Sequence, residues 1–122
     1  MTDRLSDLHE RAMALAESAF EARRLGQLAA ASEAFHKALD LEKQAAELLP
    51  ANLENEPSRS ILFRSAATLA LHAALPDEAV KLAAAGLLGS PPLGLKMELG
   101  EVLERGLARS QPALTSQPRR DP

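Results

Sequence analysis

Prolines and glycines cut this chain into stretches of helical length. Gly26, Pro50, Pro57, Pro76 and the run Gly89-Ser90-Pro91-Pro92 supply the breaks, and between them the apolar residues recur at steps of three and four, the spacing of one helical face. No stretch alternates polar and apolar residues as a half-buried strand does, and β-branched residues are scarce. Alanine and leucine provide most of the apolar content, which suits helices that approach one another closely. The expectation is an all-α chain of antiparallel helical hairpins.

The central stretch runs from Glu56 to Leu71. The residue before a proline is pushed out of the α region, so Glu56 lies outside the helix and Pro57 is expected as its first residue. Leu62, Ala66, Leu69, Ala70 and Ala73 then mark one face, and three of these five are alanines. This third helix should extend to about Ala74. Before it, helix one is expected from about Ser6 (or from Thr2) to Arg24, with Leu5, Leu8, Ala12, Leu15 and Ala19 on its stripe. Arginines in its last turn followed by Gly26 form a C-terminal signal. Helix two should span Gln27 to Leu49, with Leu28, Ala31, Phe35, Ala38, Leu41 or Leu39, Ala45 and Leu48 inside, stopped by Pro50. Pro76 opens helix four, to about Leu88. Helix five should run from Leu93 to Ala108, with Leu95, Leu99, Val102, Leu103 and Leu107 inside. Its three glycines, Gly94, Gly100 and Gly106, each cost up to about 1 kcal/mol against alanine, so it is the weakest helix by propensity. Residues 1–109 are therefore expected to form one domain, and 110–122, with three prolines and little to bury, a disordered tail.

The 122 residues carry a formal charge of −3 with the signs interspersed, and the only aromatic residues are three phenylalanines. A phosphate-binding surface normally shows as a basic patch, and single strands need stacking platforms. Nucleic acid is therefore not expected as a partner. No apolar run approaches the roughly 20 residues of a membrane span. The N-terminus lacks the profile of a signal peptide, and cysteine is absent, so a cytoplasmic location and no membrane partner are expected.

Two hairpins align at an offset of 48 residues. Ala19, Gly26, Ala31, Phe35, Ala38 and Leu39 fall opposite Ala67, Ala74, Ala79, Ala83, Gly86 and Leu87. The first set, a small residue, a turn glycine and then Ala-x-x-x-Phe-x-x-Ala-Leu, resembles a tetratricopeptide repeat. The second copy departs from it at the turn, Ala74, and at the phenylalanine position, Ala83, and the offset exceeds the family's period of about 34. The resemblance, over about residues 12 to 92, implies a short right-handed array of hairpins that binds a peptide or protein on its concave surface. The segment Glu56-Pro57-Ser58-Arg59-Ser60 with Arg64-Ser65-Ala66-Ala67 also resembles a signature of small bacterial proteins and implies no activity.

His9, His36 and His72 each lack a neighbour at metal-site spacing and read as surface or partly packed histidines. No nucleophile elbow, Ser-x-x-Lys or phosphate loop occurs, so neither an enzyme nor a cofactor is expected. Phe20, Phe35 and Phe63 read as core. Ser58, Arg59, Ser60 and Arg64 are the candidate partner-binding residues. The N–H groups at the start of helix three, with Arg59, suit a carboxylate or phosphate. In the competing reading Arg59 pairs with Glu54 or Glu56, or lies over Phe63, while Arg64 ties helix three to an acidic residue of helix one or two. Arg59 and Arg64 lie about 140° apart round the helix, which disfavours a two-arginine clamp. The function expected from all this is a non-catalytic protein-interaction module, using the groove between helices one and three. The alternative is a self-associating subunit, since two hairpins fall short of the roughly three repeats that stack stably.

Overall fold

Asp3 opens the first helix. Its carboxylate accepts the backbone N–H of Ser6 at 2.7 Å, satisfying one of the donors that a helix start leaves free. From there the computed structural model, which describes residues 3–110, builds α1 (Arg4–Arg24), α2 (Leu28–Glu47), α3 (Ser58–His72), α4 (Pro76–Leu87) and α5 (Leu93–Ser110). A single 3-10 turn, Leu53–Asn55, lies in the connection before α3, and no strand occurs among the described residues. The fold is thus all-α, an array of antiparallel helical hairpins. Each helix packs on the next, and α3 also meets α5. None of the described helices is long and apolar enough to cross a membrane.

Most of the expected stripes reach the core. Leu8, Ala16 and Ala19 of α1 meet Ala31, Phe35, Ala38 and Leu39 of α2. Leu28 and Leu48, expected inside α2, are exposed at 68% and 43%, because they stand at its two ends, beyond the reach of the neighbouring helices. The central α3 is covered by α2, α4 and α5, and buries Leu62, Phe63, Ala66, Ala67, Leu69, Ala70 and Leu71 round most of its circumference. Phe35 and Phe63 are core residues, but Phe20 is 42% exposed. At α5 the expected Leu107 lies outside at 44% exposed, and Gly106 lies inside. A Cβ at Gly106 would come within 2.8 Å of Val80 Cγ2 and 3.0 Å of the Pro76 carbonyl oxygen. The glycine that weakens α5 by propensity is therefore what lets it close on α4.

Both hairpin turns have one geometry. Gly26 N–H donates to Arg23 O at 3.0 Å and Gln27 N–H to Ala22 O at 2.8 Å; forty-eight residues on, Ala74 N–H donates to Leu71 O at 3.1 Å and Leu75 N–H to Ala70 O at 2.8 Å. This is the Schellman pairing, which needs a left-handed residue after the helix. Gly26 (φ 80°) supplies it freely, whereas Ala74 (φ 62°) does so against its Cβ. Ala74→Gly is expected to stabilise the protein by about 1 kcal/mol, read as a higher urea midpoint at unchanged slope. An unchanged or lower midpoint would show that unfolded-state entropy outweighs the relieved strain.

The start of α3 differs from expectation by one residue. Glu56 is extended, as anticipated, but Pro57 is the cap and Ser58 the first helical residue. The reason is Glu56 itself, whose carboxylate reaches forward to cap the helix, as described below. The tail expected at 110–122 falls, apart from Ser110 at the end of α5, outside the described residues.

Candidate functional site

Around Glu56, Arg59 and Ser60 the four candidate residues separate into different environments. Glu56 Oε1 accepts the backbone N–H of Ser60 at 3.2 Å and the Ser60 hydroxyl at 2.7 Å, and Oε2 accepts the backbone N–H of Ser90 at 3.1 Å. Burial pushes the Glu56 carboxyl up, but these three donors and the nearby Arg59 guanidinium outweigh it and hold its pKa below the usual value. Arg59 is only 7% exposed. Its Nε donates to Leu49 O at 3.2 Å, at the end of α2, and Nη2 donates to Ala85 O at 3.0 Å, in the last turn of α4. The guanidinium lies over the Phe63 ring, 4.6 Å from its centroid. Its Nη1 is buried with no hydrogen-bond partner, facing Gly89, where a Cβ would stand 2.5 Å from it.

Arg59 and Ser60 are therefore structural. The expectation that they meet a partner is corrected by their burial: Ser60 has no exposed surface, and Arg59 ties the ends of two helices to the start of a third. Arg64 pairs with Glu98 of α5, not with helix one or two, and keeps about a third of its side chain exposed. Ser58 is exposed and lies elsewhere, on a groove.

That groove runs between α1 and α3. A depression of about 230 Å³ has Leu5, Ser6, His9 and Glu10 on one wall and Ser58, Ile61 and Leu62 on the other. A second, of about 570 Å³, continues from His9 and Glu10 along α1 past Met13 and Glu17 to Phe20. The two adjoin at His9 and Glu10; the first has walls on α1 and α3, and the second is lined by α1 alone. Glu10 and Glu17 are exposed on the second, and neither makes an ion pair among the described residues.

His9 is not a solitary surface residue. Its Nδ1 stands 2.9 Å from Glu42 Oε1 and 3.0 Å from Oε2, and Glu42 has no exposed surface at all. Nδ1 is therefore the ring nitrogen held by the carboxylate, which fixes the orientation of the imidazole beside the groove. The two residues are 33 apart in sequence, on different helices. A signal was nonetheless present: Glu42 occupies the α2 stripe between Leu39 and Ala46, seven residues after Phe35, where a carboxylate needs a partner.

At the other end, Phe20, Phe35 and His72 form an aromatic cluster. His72 stacks on Phe35 at 5.2 Å, and Phe20 stands edge-on to both at 5.0 Å. Arg23 lies 5.1 Å from the centroids of both phenylalanine rings, and its Nη1 is 3.1 Å from His72 Nδ1. Burial, then Arg23 and Arg109, hold the His72 pKa below its usual value. A base with a lowered folded pKa favours the neutral form, so its contribution is complete above the unfolded pKa of about 6.5 and is lost as pH falls from there through the lower folded value. Acidification from about pH 7.5 to 5.5 is thus expected to lower the melting temperature more in the native chain than in His72→Phe, which keeps the stack but cannot titrate. Equal losses in the two chains would remove His72 from the acid response. Among the described residues no group of three or more His, Asp or Glu could hold a metal ion. Comparison of the chain with known protein families, curated proteins and solved structures finds no match, so the functional reading rests on these side chains alone.

Proposed function

We propose that this chain is a non-catalytic protein-interaction module, tetratricopeptide-like in kind, that takes a segment of another protein in the α1/α3 groove. The observation that carries this reading is the pair of adjoining depressions along α1, the first walled by α3, with Ile61 37% and Phe20 42% exposed on them. Large apolar side chains grouped along a concave surface are what a partner's anchor residues seek. Catalysis would need convergent titratable groups around a reacting atom; Ser6 and Ser58 line the same depression as His9, but no hydrogen bond among the described residues joins either hydroxyl to the imidazole.

The test is a tagged pull-down from host lysate with the native chain, Met13→Glu/Ile61→Glu, and the control Leu88→Glu, after circular dichroism establishes that all three fold. A protein captured by the native chain and the control, and lost with the groove variant, supports the reading. The second reading, a self-associating subunit, draws on Leu88, Leu93 and Met97, exposed in succession around the α4–α5 connection at 81%, 72% and 61%. Capture of the chain alone, lost with Leu88→Glu, would replace the first reading by the second.

A further inference from the structure

We infer that the α1/α3 groove selects a cationic amphipathic helix, with two basic side chains of the partner meeting Glu10 and Glu17. This deepens the interaction-module reading and rests on it.

The argument starts from α1. His9, Met13, Ala16 and Phe20 share one face of this helix, and Glu10 and Glu17 border the same depression. The two carboxylates are seven residues apart, hence about 10.5 Å along the axis and nearly in line. A helix laid alongside would match them with Lys or Arg at positions i and i+7 while its own apolar stripe covers Met13 and Phe20.

Most cations beside the groove are engaged; Arg4, exposed in the first turn of α1, makes no ion pair among the described residues. Arg64 pairs with Glu98, and Arg23 is spread over Phe20 and Phe35 and against His72 at the far end. Arg11, on the other flank of α1, lies 3.7 Å from Asp7. Among the described residues Glu10 and Glu17 make no ion pair, and a third carboxylate, Glu42, stands directly behind His9. A partner's ammonium or guanidinium is the donor that exposed, unpaired carboxylates bind most strongly. The complementarity sets partner choice and association rate more than raw affinity.

The test uses the isotopically labelled full chain at low salt and two synthetic peptides: a 14-residue amphipathic helix of leucine and lysine, and its counterpart of leucine and glutamate. The lysine peptide is expected to shift the signals of His9, Met13 and Ile61 and to bind at least tenfold more tightly than the glutamate peptide. Glu10→Lys/Glu17→Lys should remove that preference, while Glu47→Lys/Glu54→Lys, with the same change of net charge away from the groove, should leave most of it. Binding of both peptides in the groove with equal affinity, or equal losses in the two charge-reversed variants, would overturn the cation selection and leave the groove reading standing. Absence of binding by either peptide, or groove shifts that grow with protein concentration alone, would overturn both.

Discussion

Arg59→Met is expected to destabilise the protein by about 1–3 kcal/mol, read as a lower urea midpoint. The loss comes mainly from one carbonyl group that the arginine leaves behind. Leu49 O and Ala85 O each accept one of its N–H groups, at 3.2 and 3.0 Å; Ala85 O also accepts the Leu88 N–H at 3.2 Å and keeps that donor, whereas Leu49 O, just beyond α2, has no other backbone donor among the described residues. An acceptor abandoned in a partly buried site costs about 1–3 kcal/mol. Methionine fills some of the space over Phe63 but donates nothing, and Glu56 loses the nearby positive charge. Arg64→Met is the comparison. Its pair with Glu98 is largely solvated, and its removal should cost less than about 1 kcal/mol. A loss below 1 kcal/mol for Arg59→Met would mean that water replaces the guanidinium at both carbonyls, and the three-helix tie would have to be abandoned.

Glu42→Leu is expected to act in the opposite direction, raising stability by about 1 kcal/mol, because the partner it leaves behind, His9, is 38% exposed and can be solvated. Both Glu42 and Arg59 are buried charges, but their surroundings differ. Arg59 serves two backbone acceptors and an aromatic face, so its desolvation is offset on several sides. Glu42 has no exposed surface, sits among apolar residues of α2, and has one hydrogen-bonding partner, His9. Attraction to a single partner that also faces solvent rarely repays the removal of a carboxylate from water. Leucine removes that penalty and leaves His9 in the groove, where water reaches it. The same variant should weaken binding of the leucine–lysine peptide, because the negative charge behind His9 is gone. Lower stability together with unchanged peptide binding would assign Glu42 to the fold alone.

These expectations place the polar chemistry of the chain in two classes. The Glu56–Arg59–Ser60 group has its hydrogen bonds directed inward, apart from Nη1, and holds three helix ends together. The His9–Glu42 pair has one side directed inward and one outward. A half-exposed imidazole oriented by a buried carboxylate has an organisation beyond what packing α1 on α2 demands, which is why the groove, not the start of α3, is the better candidate for contact with a partner.

Helix number, hairpin turns and the main core stripes were legible along the chain because they depend on local chemistry. Prolines and glycines end helices through their own backbones, and a three-to-four residue apolar spacing decides which face is buried whatever it packs against. The equivalence of Gly26 and Ala74 followed from the 48-residue offset, since a turn of this kind is specified within six residues. The roles of polar residues followed less well, because they depend on what arrives from elsewhere in the chain. Arg59 and Ser60 look like ligands for a partner until the ends of α2 and α4 and the loop at Ser90 close over them. Arg64 finds Glu98, 34 residues away, rather than an acid on α1 or α2. Leu107 and Gly106 exchange places because α5 approaches α4 through a residue without a side chain. The pairing of His9 with Glu42 required α1 and α2 to dock in one rotational setting, with Phe35 and the alanines of both helices choosing that setting. Local propensity and periodicity determine which segments become helices and where they stop. The energies that join a charge to its partner act across space, and only the packed tertiary structure decides which charges meet.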